Sequence, residues 1–493
     1  MTNSRAEDWH HVRAAFRQIW GYEEFRPPQD QIIRCLLAAE DGLIVLPTGG
    51  GKSLCFQLPA ILQDGLTLVV SPLVALMENQ ITELQQRLRA ALQPLPNPQQ
   101  RTALLHSELP RQQRFLTLRA LEQQQLKLLY LSPETLLSRP IWDRLKRPQV
   151  KINGLILDEA HCLVDWGTTF RPAYRRLGAV RPALLQHKPA GTQIAIAAFT
   201  ATAEPTAQKI IQETLQLQSP QRFVASPYRP NLELEVKVAW TPRCRRHLLF
   251  KFVKGQGQQS GLIYVRSRRD AEALAQWFGS QYSTAAYHAG LGAEERRQIE
   301  ADWLKNVVQF VVCTSAFGMG VNKPNVRWVA HFQPPMLLSE YLQEIGRGGR
   351  DGQTAQALTI VSEPTGWLNP EDKQRTQFFT DRLEKQYQQA QKIVRQLPQQ
   401  GDLDSVAGRG GEMALALLHS TGQLEWEDPF HYRRCPNITA PLTQLRTRQK
   451  QLRSQTARYF TTRQCRWQFL LAAFGLPQEG FQCGHCDNCR RYG

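Results

Sequence analysis

The sequence lacks a long hydrophobic run. Its apolar stretches are short, as at residues 43–46 and 66–70, whereas a membrane-spanning helix needs about 18 or more apolar residues. Residues 1–11 are polar and contain no apolar segment of the kind found in secretory signals. With 10 cysteines in 493 residues, the chain is no disulfide scaffold either. We therefore expect a cytoplasmic protein with no membrane partner.

Acidic residues are outnumbered by basic ones. Asp and Glu total 43 against 60 Lys and Arg, which gives a net charge of +17. Such an excess favours polyanionic partners, with nucleic acid a stronger candidate than an anionic membrane surface. The 42% hydrophobic and 21% charged content is ordinary for globular protein. A length of 493 residues predicts about three domains.

Short apolar runs alternate with helix-like stretches twice along the chain. The first series has strand-like runs at residues 42–46, 66–70, 127–131, 155–157 and 193–199, and the second at 262–265, 283–287, 309–313, 327–332 and 356–361. Short apolar strands separated by helices indicate parallel sheets with helices on both faces. We predict two α/β domains over residues 1–217 and 218–363, an insertion over 364–440 and a final segment over 441–493.

A glycine-rich loop follows the first strand-like run. The candidate phosphate-binding residues are Thr48, Gly49, Gly50, Gly51, Lys52 and Ser53. Backbone amides in such a loop converge on phosphate oxygens, the Lys side chain reaches the β- and γ-phosphates, and the Ser hydroxyl holds Mg²⁺. Leu46 stands where the strict pattern has Gly. The alternative is a glycine turn with an incidental Lys-Ser pair.

Two carboxylates end the strand-like run at residues 155–157. Asp158 and Glu159 lie where open α/β sheets bind ligands. Asp158 is expected to hold Mg²⁺ and Glu159 to accept a proton from the attacking water. A solvated turn is the alternative for the pair alone. Together with the upstream glycine-rich loop, however, the two carboxylates predict nucleoside triphosphate hydrolysis.

Two arginines near the end of the second α/β block complete the predicted catalytic set. Arg347 and Arg350 are interleaved with glycines, and phosphoryl transfer needs positive charge on the γ-phosphate. The alternative is a surface loop that contacts nucleic acid. Because these arginines belong to a different domain from the glycine-rich loop, they suggest that hydrolysis depends on closure of the two domains on ATP.

These motifs together resemble the RecQ family of superfamily 2 helicases. Further matches lie at residues 21–29, 70–73, 131–134, 161–174, 200–203, 263–268, 287–290 and 314–324. The resemblance implies two RecA-like domains, ATP as cofactor, 3′→5′ movement, and a role in DNA recombination and repair. It also implies adenine recognition by Gln29, whose amide can form paired hydrogen bonds with the base, and packing of Tyr22 or Arg26 on that base.

An aromatic-rich segment over residues 161–174 carries the most family-specific match. It resembles the loop by which RecQ proteins couple DNA contact to ATP hydrolysis. Trp166 and Phe170 are expected to stack on bases and Arg171 to bind phosphate, while a buried core role is the alternative for the aromatics. By the same resemblance, Tyr287 and His288 are assigned to DNA binding.

The family pattern is broken at two places. Gly348 stands where the family usually has Ala, which should be tolerated. Residues 229–231 keep Arg-Pro-Asn but lack the usual Phe-Asp before it, which leaves the local contact between the domains open.

Four late cysteines have metal-ligand spacing. Cys483, Cys486 and Cys489 form a tight knuckle, and Cys465 lies upstream. Four thiolates suit a structural Zn²⁺ site, and RecQ proteins carry such a site on a helical hairpin. One alternative is that His485 or Cys435, in place of Cys465, is the fourth ligand. The other is that the cysteines form a redox pair.

The segment before this hairpin is unusual. Many RecQ proteins continue after the zinc site into winged-helix and HRDC domains, which the sequence does not show there. Residues 381–400, 405–410, 412–421 and 423–434 are compatible with two helices flanking a short helix, followed by a wing. A relocated winged-helix-like module is one interpretation, and a helical spacer is the other.

The sequence therefore predicts an ATP-dependent DNA helicase acting on single-stranded and forked duplex DNA in a bacterial-type nucleoid. An RNA helicase of DEAH type and a non-enzymatic DNA scaffold are the rival hypotheses. The loop over residues 166–174 and the zinc hairpin weigh against the first. The presence of Lys52, Asp158, Glu159 and Arg350 weighs against the second.

Overall fold

The chain forms two compact units. The computed structural model describes residues 2–91, 101–164, 171–317, 321–406, 408–435 and 442–492. The first unit comprises residues 1–46, 50–225 and 387–443, and the second comprises residues 47–49, 226–386 and 444–493.

A parallel seven-stranded sheet forms the centre of the first unit. Its order is β3-β4-β2-β5-β6-β1-β7. The strands are β1 (Gly42–Val45), β2 (Leu66–Val70), β3 (Thr102–Leu105), β4 (Leu128–Leu131), β5 (Ile152–Leu157), β6 (Ala195–Thr200) and β7 (Gln221–Val224). The helices are α1 (Thr2–Trp20), α2 (Gln29–Leu37), α3 (Lys52–Leu62), α4 (Val74–Ala91), α5 (Arg111–Glu122), α6 (Pro133–Leu136), α7 (Arg139–Leu145), α8 (Val180–Leu185) and α9 (Pro205–Thr214), with 3₁₀ helices at Ala160–Leu163 and Pro172–Ala179.

Both faces of this sheet are covered, because its strands are apolar on both sides. Leu43 and Val45 belong to one hydrophobic cluster, whereas Ile44 and Leu46 belong to another. Successive side chains of a strand point to opposite faces. The predicted layering of helices on both faces is therefore confirmed in this unit.

The second unit repeats the architecture with a parallel six-stranded sheet. Its order is β10-β11-β9-β12-β13-β8. The strands are β8 (Leu232–Ala239), β9 (Gly261–Tyr264), β10 (Thr284–Tyr287), β11 (Phe310–Cys313), β12 (Trp328–His331) and β13 (Ala355–Ser362), and the helices are α10 (Pro242–Gly255), α11 (Arg268–Phe278), α12 (Ala293–Leu304) and α13 (Leu338–Ile345). The predicted α/β fold class is confirmed.

The predicted insertion divides between the two units. Its first helix, α14 (Glu371–Val394), starts in the second unit and ends in the first. Residues 387–435, which we call the insertion module, then add β14 (Gln400–Asp402), a 3₁₀ turn (Leu403–Ser405), α15 (Gly408–Ser420), β15 (Leu424–Trp426) and β16 (His431–Arg434). These strands form an antiparallel sheet of order β14-β16-β15. The observed division differs from the predicted boundaries at 363 and 440, since Tyr387 and Ala390 are already buried.

The cysteine-bearing segment packs on the edge strand β8 of the second unit. It contains α16 (Leu442–Thr461), α17 (Arg466–Ala473) and α18 (Asp487–Tyr492). The indole of Trp467 donates to the carbonyl of Leu232 at 3.2 Å, and the carboxylate of Asp487 accepts from the amide of Val236 at 2.9 Å. Hydrogen-bonding groups at an exposed strand edge invite aggregation, and this segment covers them.

Across the described parts of the chain, we find no helix with the length and apolar character needed to cross a bilayer.

Candidate active site

The glycine-rich loop joins β1 to α3. Gly51 precedes the first residue of α3 and has φ +73°, and Gly49 has φ +84°. A positive φ strains residues with a Cβ, so these glycines let the loop curl at the helix N-terminus, where amides favour anions. The Lys52 ammonium donates to the carbonyl of Leu46 at 3.1 Å. Lys52 and Ser53 thus begin a helix whose N-terminus suits a phosphate.

Gln29 lies directly against this loop. Its Nε2 donates to the carbonyl of Gly50 at 3.2 Å, and its Oε1 accepts from the amide of Arg26 at 3.0 Å. A Cβ on Gly51 would lie 2.2 Å from Gln29 Nε2. Tyr22 and Arg26 are exposed beside it. The structure thus brings the predicted base-recognising Gln together with the predicted phosphate loop.

The two carboxylates follow β5, which lies next to β6 and two strands from β1. Asp158 is buried, and its Oδ2 accepts from Gln80 Nε2 at 3.3 Å while its Oδ1 accepts from the amide of Glu159 at 3.0 Å. Glu159 has φ +51°, in the left-handed region that is strained for a residue with a Cβ. Its carboxylate lies 3.2 Å from Nδ1 of His161. Sequence reasoning did not identify Gln80 or His161 as partners of the carboxylates.

The ionisation of Asp158 is perturbed by its surroundings. Burial, followed by the negative charge of Glu159, raises the pKa of Asp158 to about 6, although the nearby ammonium of Lys52 acts in the opposite direction. A carboxylate in this environment gains most from a cation, because the cation would relieve both the desolvation and the repulsion. The donor set of Asp158 and Ser53 consists of oxygen ligands, which Mg²⁺ prefers.

The predicted arginines lie in the turn that follows α13 of the second unit. Arg347 is buried, and Arg350 donates to the side chain of Asn322 at 2.9 Å. Burial and then the positive charge of Arg347 lower the pKa of Arg350 to about 9, so the Arg350 guanidinium is still cationic at neutral pH.

Two neighbouring contacts fix this turn. Arg266 forms a bidentate buried pair with Glu344, at 3.0 and 2.8 Å. The side chains of Arg229 and Asn231 both donate to the carbonyl of Gly349, at 2.5 and 2.8 Å. The Arg-Pro-Asn sequence therefore supports the arginine turn from within the second unit, although it lacks the preceding Phe-Asp. Sequence reasoning missed these contacts because they join distant positions.

The predicted DNA-binding residues fall into three groups. Trp166 and Phe170 lie outside the described residues. Arg171 is described, and its guanidinium lies 3.2 Å from the carboxylate of Glu134. Tyr287 packs in the core and donates to Glu300 at 2.6 Å, and buried His288 lies 2.9 Å from Glu272. Both of these side chains are directed into the second unit, and their role in DNA binding stays a prediction.

The four predicted cysteine ligands come together. The sulfur atoms of Cys465, Cys483, Cys486 and Cys489 all lie within 4.8 Å of one another. A tetrahedral zinc ion with bonds of about 2.3 Å separates its sulfur ligands by about 3.8 Å, and the sulfur atoms of Cys483 and Cys489 lie 3.9 Å apart, so the donors fit the metal. Cys435 lies in the first unit, and His485 Nδ1 lies 2.6 Å from the carbonyl of Cys483. Cys465 is therefore the fourth member of the cluster, and neither alternative takes its place.

Comparison with known proteins agrees with this geometry. Three family models match successive segments: a DEAD/DEAH box helicase domain over residues 26–210, a helicase conserved C-terminal domain over 244–352, and a RecQ zinc-binding domain over 433–490. The ATP-dependent DNA helicase RecQ of Synechocystis is 53% identical over 97% of this chain and 98% of that protein. The chain belongs to the RecQ family. RecQ of Haemophilus influenzae is 37% identical over 73% of this chain, which spans 56% of that relative.

Solved structures of other helicases share the fold of the motor. The Mycobacterium smegmatis helicase Lhr, bound to ssDNA and AMP-PNP, aligns with a TM-score of 0.56 at 19% identity, over 88% of this chain and 60% of Lhr. S. cerevisiae Dbp5, bound to RNA and ADP BeF3, aligns with a TM-score of 0.56 at 15% identity, over 74% of this chain and 90% of Dbp5. At such low identity the likeness concerns the fold alone, and it identifies both α/β units as RecA-like.

Replacement of Gly51 tests the nucleotide loop. In Gly51→Ala the new Cβ strains the left-handed backbone and displaces Gln29, which then loses its bonds to Gly50 and Arg26. We expect the Kd for ATP to rise about tenfold, since the hydrogen bonds that hold Gln29 contribute about 1–2 kcal/mol in total. Gly191→Ala is the control, because Gly191 has φ +82° and a Cβ added there would have no atom within 4 Å. Equal ATP affinity of the two variants would contradict the assignment.

The raised pKa of Asp158 predicts a pH-dependent gain in stability for Asp158→Asn. The ionised carboxylate destabilises the fold; this cost is absent below the unfolded pKa of about 4, grows as the pH rises, and is complete above about 6. Without Mg²⁺ and nucleotide, we expect the melting temperature of the variant to exceed that of the wild type by a few degrees at pH 7.5 and to match it near pH 4.

Asp64→Asn is the control for this measurement. Hydrogen bonding to Lys127 lowers the pKa of the exposed Asp64 carboxyl, so its ionised form favours folding above its ordinary pKa. Replacement of Asp64 therefore gives no gain at pH 7.5. A gain for Asp158→Asn that is equal at both pH values would show that the carboxylate is not the cause.

Proposed function

We propose that the protein couples ATP hydrolysis to 3′→5′ movement along one DNA strand and thereby separates forked duplexes during recombination and repair. Membership of a family of ATP-dependent DNA helicases supports the reaction class. The observation that carries the proposal is the convergence of Gln29, Lys52 and Asp158 within one unit. Action on DNA would place the protein in the nucleoid of a bacterial cell.

The first unit supplies the nucleotide-binding groups. Gln29 would read the adenine edge, with Tyr22 and Arg26 exposed beside it. The loop from Thr48 to Ser53 would surround the phosphates. Ser53 and Asp158 would hold Mg²⁺, which supplies positive charge to the phosphate oxygens when bound. Glu159, held by a strained backbone and next to His161, would accept a proton from the attacking water.

The second unit supplies the charge for the transition state. Arg347 and Arg350 are cations on a turn that Glu344, Arg266 and Asn231 hold in place. We propose that they act on the γ-phosphate when the two units close, so that hydrolysis follows domain movement. Such a cycle advances along the strand through phosphate contacts, which carry little sequence information.

DNA contact is assigned to the aromatic-rich segment and to the basic surface. Trp166 and Phe170 would stack on bases at about 1–3 kcal/mol per base, and Arg171 would bind phosphate. The net charge of +17 favours a polyanion in general. The insertion module has the succession of helix, strand, short helix, helix and two-stranded wing that characterises winged helices, and we propose that it is winged-helix-like.

The cysteine cluster is proposed to hold one structural Zn²⁺. Four thiolates leave no open position, which argues against a catalytic metal. A buried bidentate pair between Arg466 and Asp487, at 2.6 and 2.9 Å, lies directly beside the cluster. The metal would stabilise the α17–α18 segment on β8.

Replacement of Lys52 tests the motor. We expect Lys52→Ala to lower DNA-stimulated ATP turnover about 100-fold or more, because the γ-phosphate loses its positive partner, and to abolish unwinding of forked and 3′-tailed duplexes. Lys209→Ala, at an exposed lysine of the same unit, is the control. The wild type should unwind 3′-tailed but not 5′-tailed duplexes, and DNA should stimulate turnover more than RNA of equal length. Unchanged turnover in Lys52→Ala would remove the site assignment.

Metal analysis tests the cysteine cluster. We expect about one zinc per chain by plasma emission spectrometry, and Cys483→Ser should lower both this content and the melting temperature of the protein. Cys244→Ser, at a cysteine of the second unit outside the cluster, should retain the metal. Zinc content that is unaltered in Cys483→Ser, or absent from the wild type, would contradict a zinc site.

A further inference from the structure

The 3₁₀ helix Pro172–Ala179 begins within the last three residues of the aromatic-rich segment, which covers residues 161–174. Every residue from Ala173 to Ala179 is buried, including the charged Arg175 and Arg176. Burial of two arginines in a row is costly unless their donors are satisfied. The partners of this helix therefore indicate what it is built to contact.

The insertion module covers one side of this helix. Arg176 donates to the carbonyl of Pro429 at 3.2 Å in a buried contact, across 253 positions of sequence. Ala179 packs in a cluster with apolar residues of the module, namely Leu397, Leu415, Leu418, Leu424, Trp426 and Tyr432. The 3₁₀ helix and the module thus share one hydrophobic core.

A second contact attaches the module nearby. Phe430 packs edge-on against Trp142 of the first unit, with ring centroids 5.8 Å apart, and belongs to the main hydrophobic cluster of that unit. Arg139 covers the ring of Phe430 at 4.4 Å and pairs with Asp402 at 2.7 Å. The module is therefore anchored by apolar packing, a cation–π contact and an ion pair.

The 3₁₀ helix also contacts the backbone of Asp158. The hydroxyl of Tyr174 donates to the backbone carbonyl of Asp158 at 3.3 Å, in a fully buried contact. The helix packs closely on the end of α9, because a Cβ on Gly178 would lie 1.9 Å from the carbonyl of Thr214. One buried segment therefore links the module, the end of the aromatic-rich segment and the residue expected to hold Mg²⁺.

We infer that the insertion module positions this segment and thereby sets the coupling between DNA contact and ATP hydrolysis. Arg176 and Phe430 are positioning residues, since both are buried in the protein and act through the 3₁₀ helix. The inference rests on the proposed function, because it assigns the module a role in the DNA dependence of that reaction. It differs from a strand-splitting role, in which the module would affect unwinding without affecting ATP turnover.

The test compares DNA-stimulated and basal ATP turnover in Arg176→Ala and Phe430→Ala. We expect the stimulation by single-stranded DNA to fall about fivefold or more, in the range of ordinary coupling between sites. The concentration of DNA that gives half-maximal turnover should rise as well. Basal turnover and the KM for ATP should stay within about twofold of the wild type. A merely structural role would lower all rates in proportion to the folded fraction, which thermal denaturation measures independently.

Two further variants complete the design. Arg433→Ala removes an arginine of the module that is about half exposed and pairs with Glu425, so DNA stimulation should be unchanged. Arg176→Lys keeps a donor for the carbonyl of Pro429 and should restore part of the stimulation lost in Arg176→Ala.

The results separate the inference from the proposed function. Loss of thermal stability with full DNA stimulation in both Arg176→Ala and Phe430→Ala would overturn the inference, as would an equal loss of stimulation in Arg433→Ala. Absence of DNA stimulation in the wild type would instead refute the proposed function, and it would be visible before any variant is made.

Discussion

Burial of the Asp158 carboxylate is the constraint around which the first unit is organised. A charge removed from water costs several kcal/mol unless neighbours replace its hydration. Those neighbours come from separate elements: the Lys52 ammonium begins α3, and the Gln80 amide lies on α4. The carboxylate can be served by both only where the sheet brings the end of β5 close to the end of β1. The position of the phosphate loop and the order of the strands therefore both serve to stabilise this buried carboxylate.

In the second unit, the pKa of the buried Glu344 carboxyl is shifted in the opposite direction. Burial alone would raise the pKa of Glu344, but Arg266 and then His331 lower it to about 2. This carboxylate remains ionised throughout the physiological range and holds the arginine turn. Asp158 keeps a pKa of about 6 and lacks such a fixed pair. Glu344 is therefore a structural carboxylate satisfied by the protein itself, whereas the raised pKa of Asp158 is of the kind that is common at functional sites.

Local patterns in the sequence were sufficient for the buried strands and for the loop and carboxylate motifs, because each is a contiguous run with a characteristic spacing. Strands β3, β7 and β8 were missed, and all three are edge strands of their sheets. Strand β8 alternates charged and apolar side chains, as suits an edge strand with one covered face. Contacts such as Arg266 with Glu344, or Arg176 with Pro429, join positions 78 and 253 residues apart. No periodicity encodes such pairs, and only the folded topology brings them together.

The cysteine cluster lies in the segment that covers the edge strand β8 of the second unit. A segment as short as α17–α18 buries too little apolar surface to hold its own shape, yet it must keep the carboxylate of Asp487 on the amide of Val236. Asp487 lies between Cys486 and Cys489 in sequence, so fixing those two sulfur atoms fixes the carboxylate as well. Arg466, next to Cys465, completes the arrangement by neutralising Asp487. A zinc ion on the four sulfurs, as proposed, would therefore hold both partners of the ion pair and, through it, the segment that covers the edge of the second sheet.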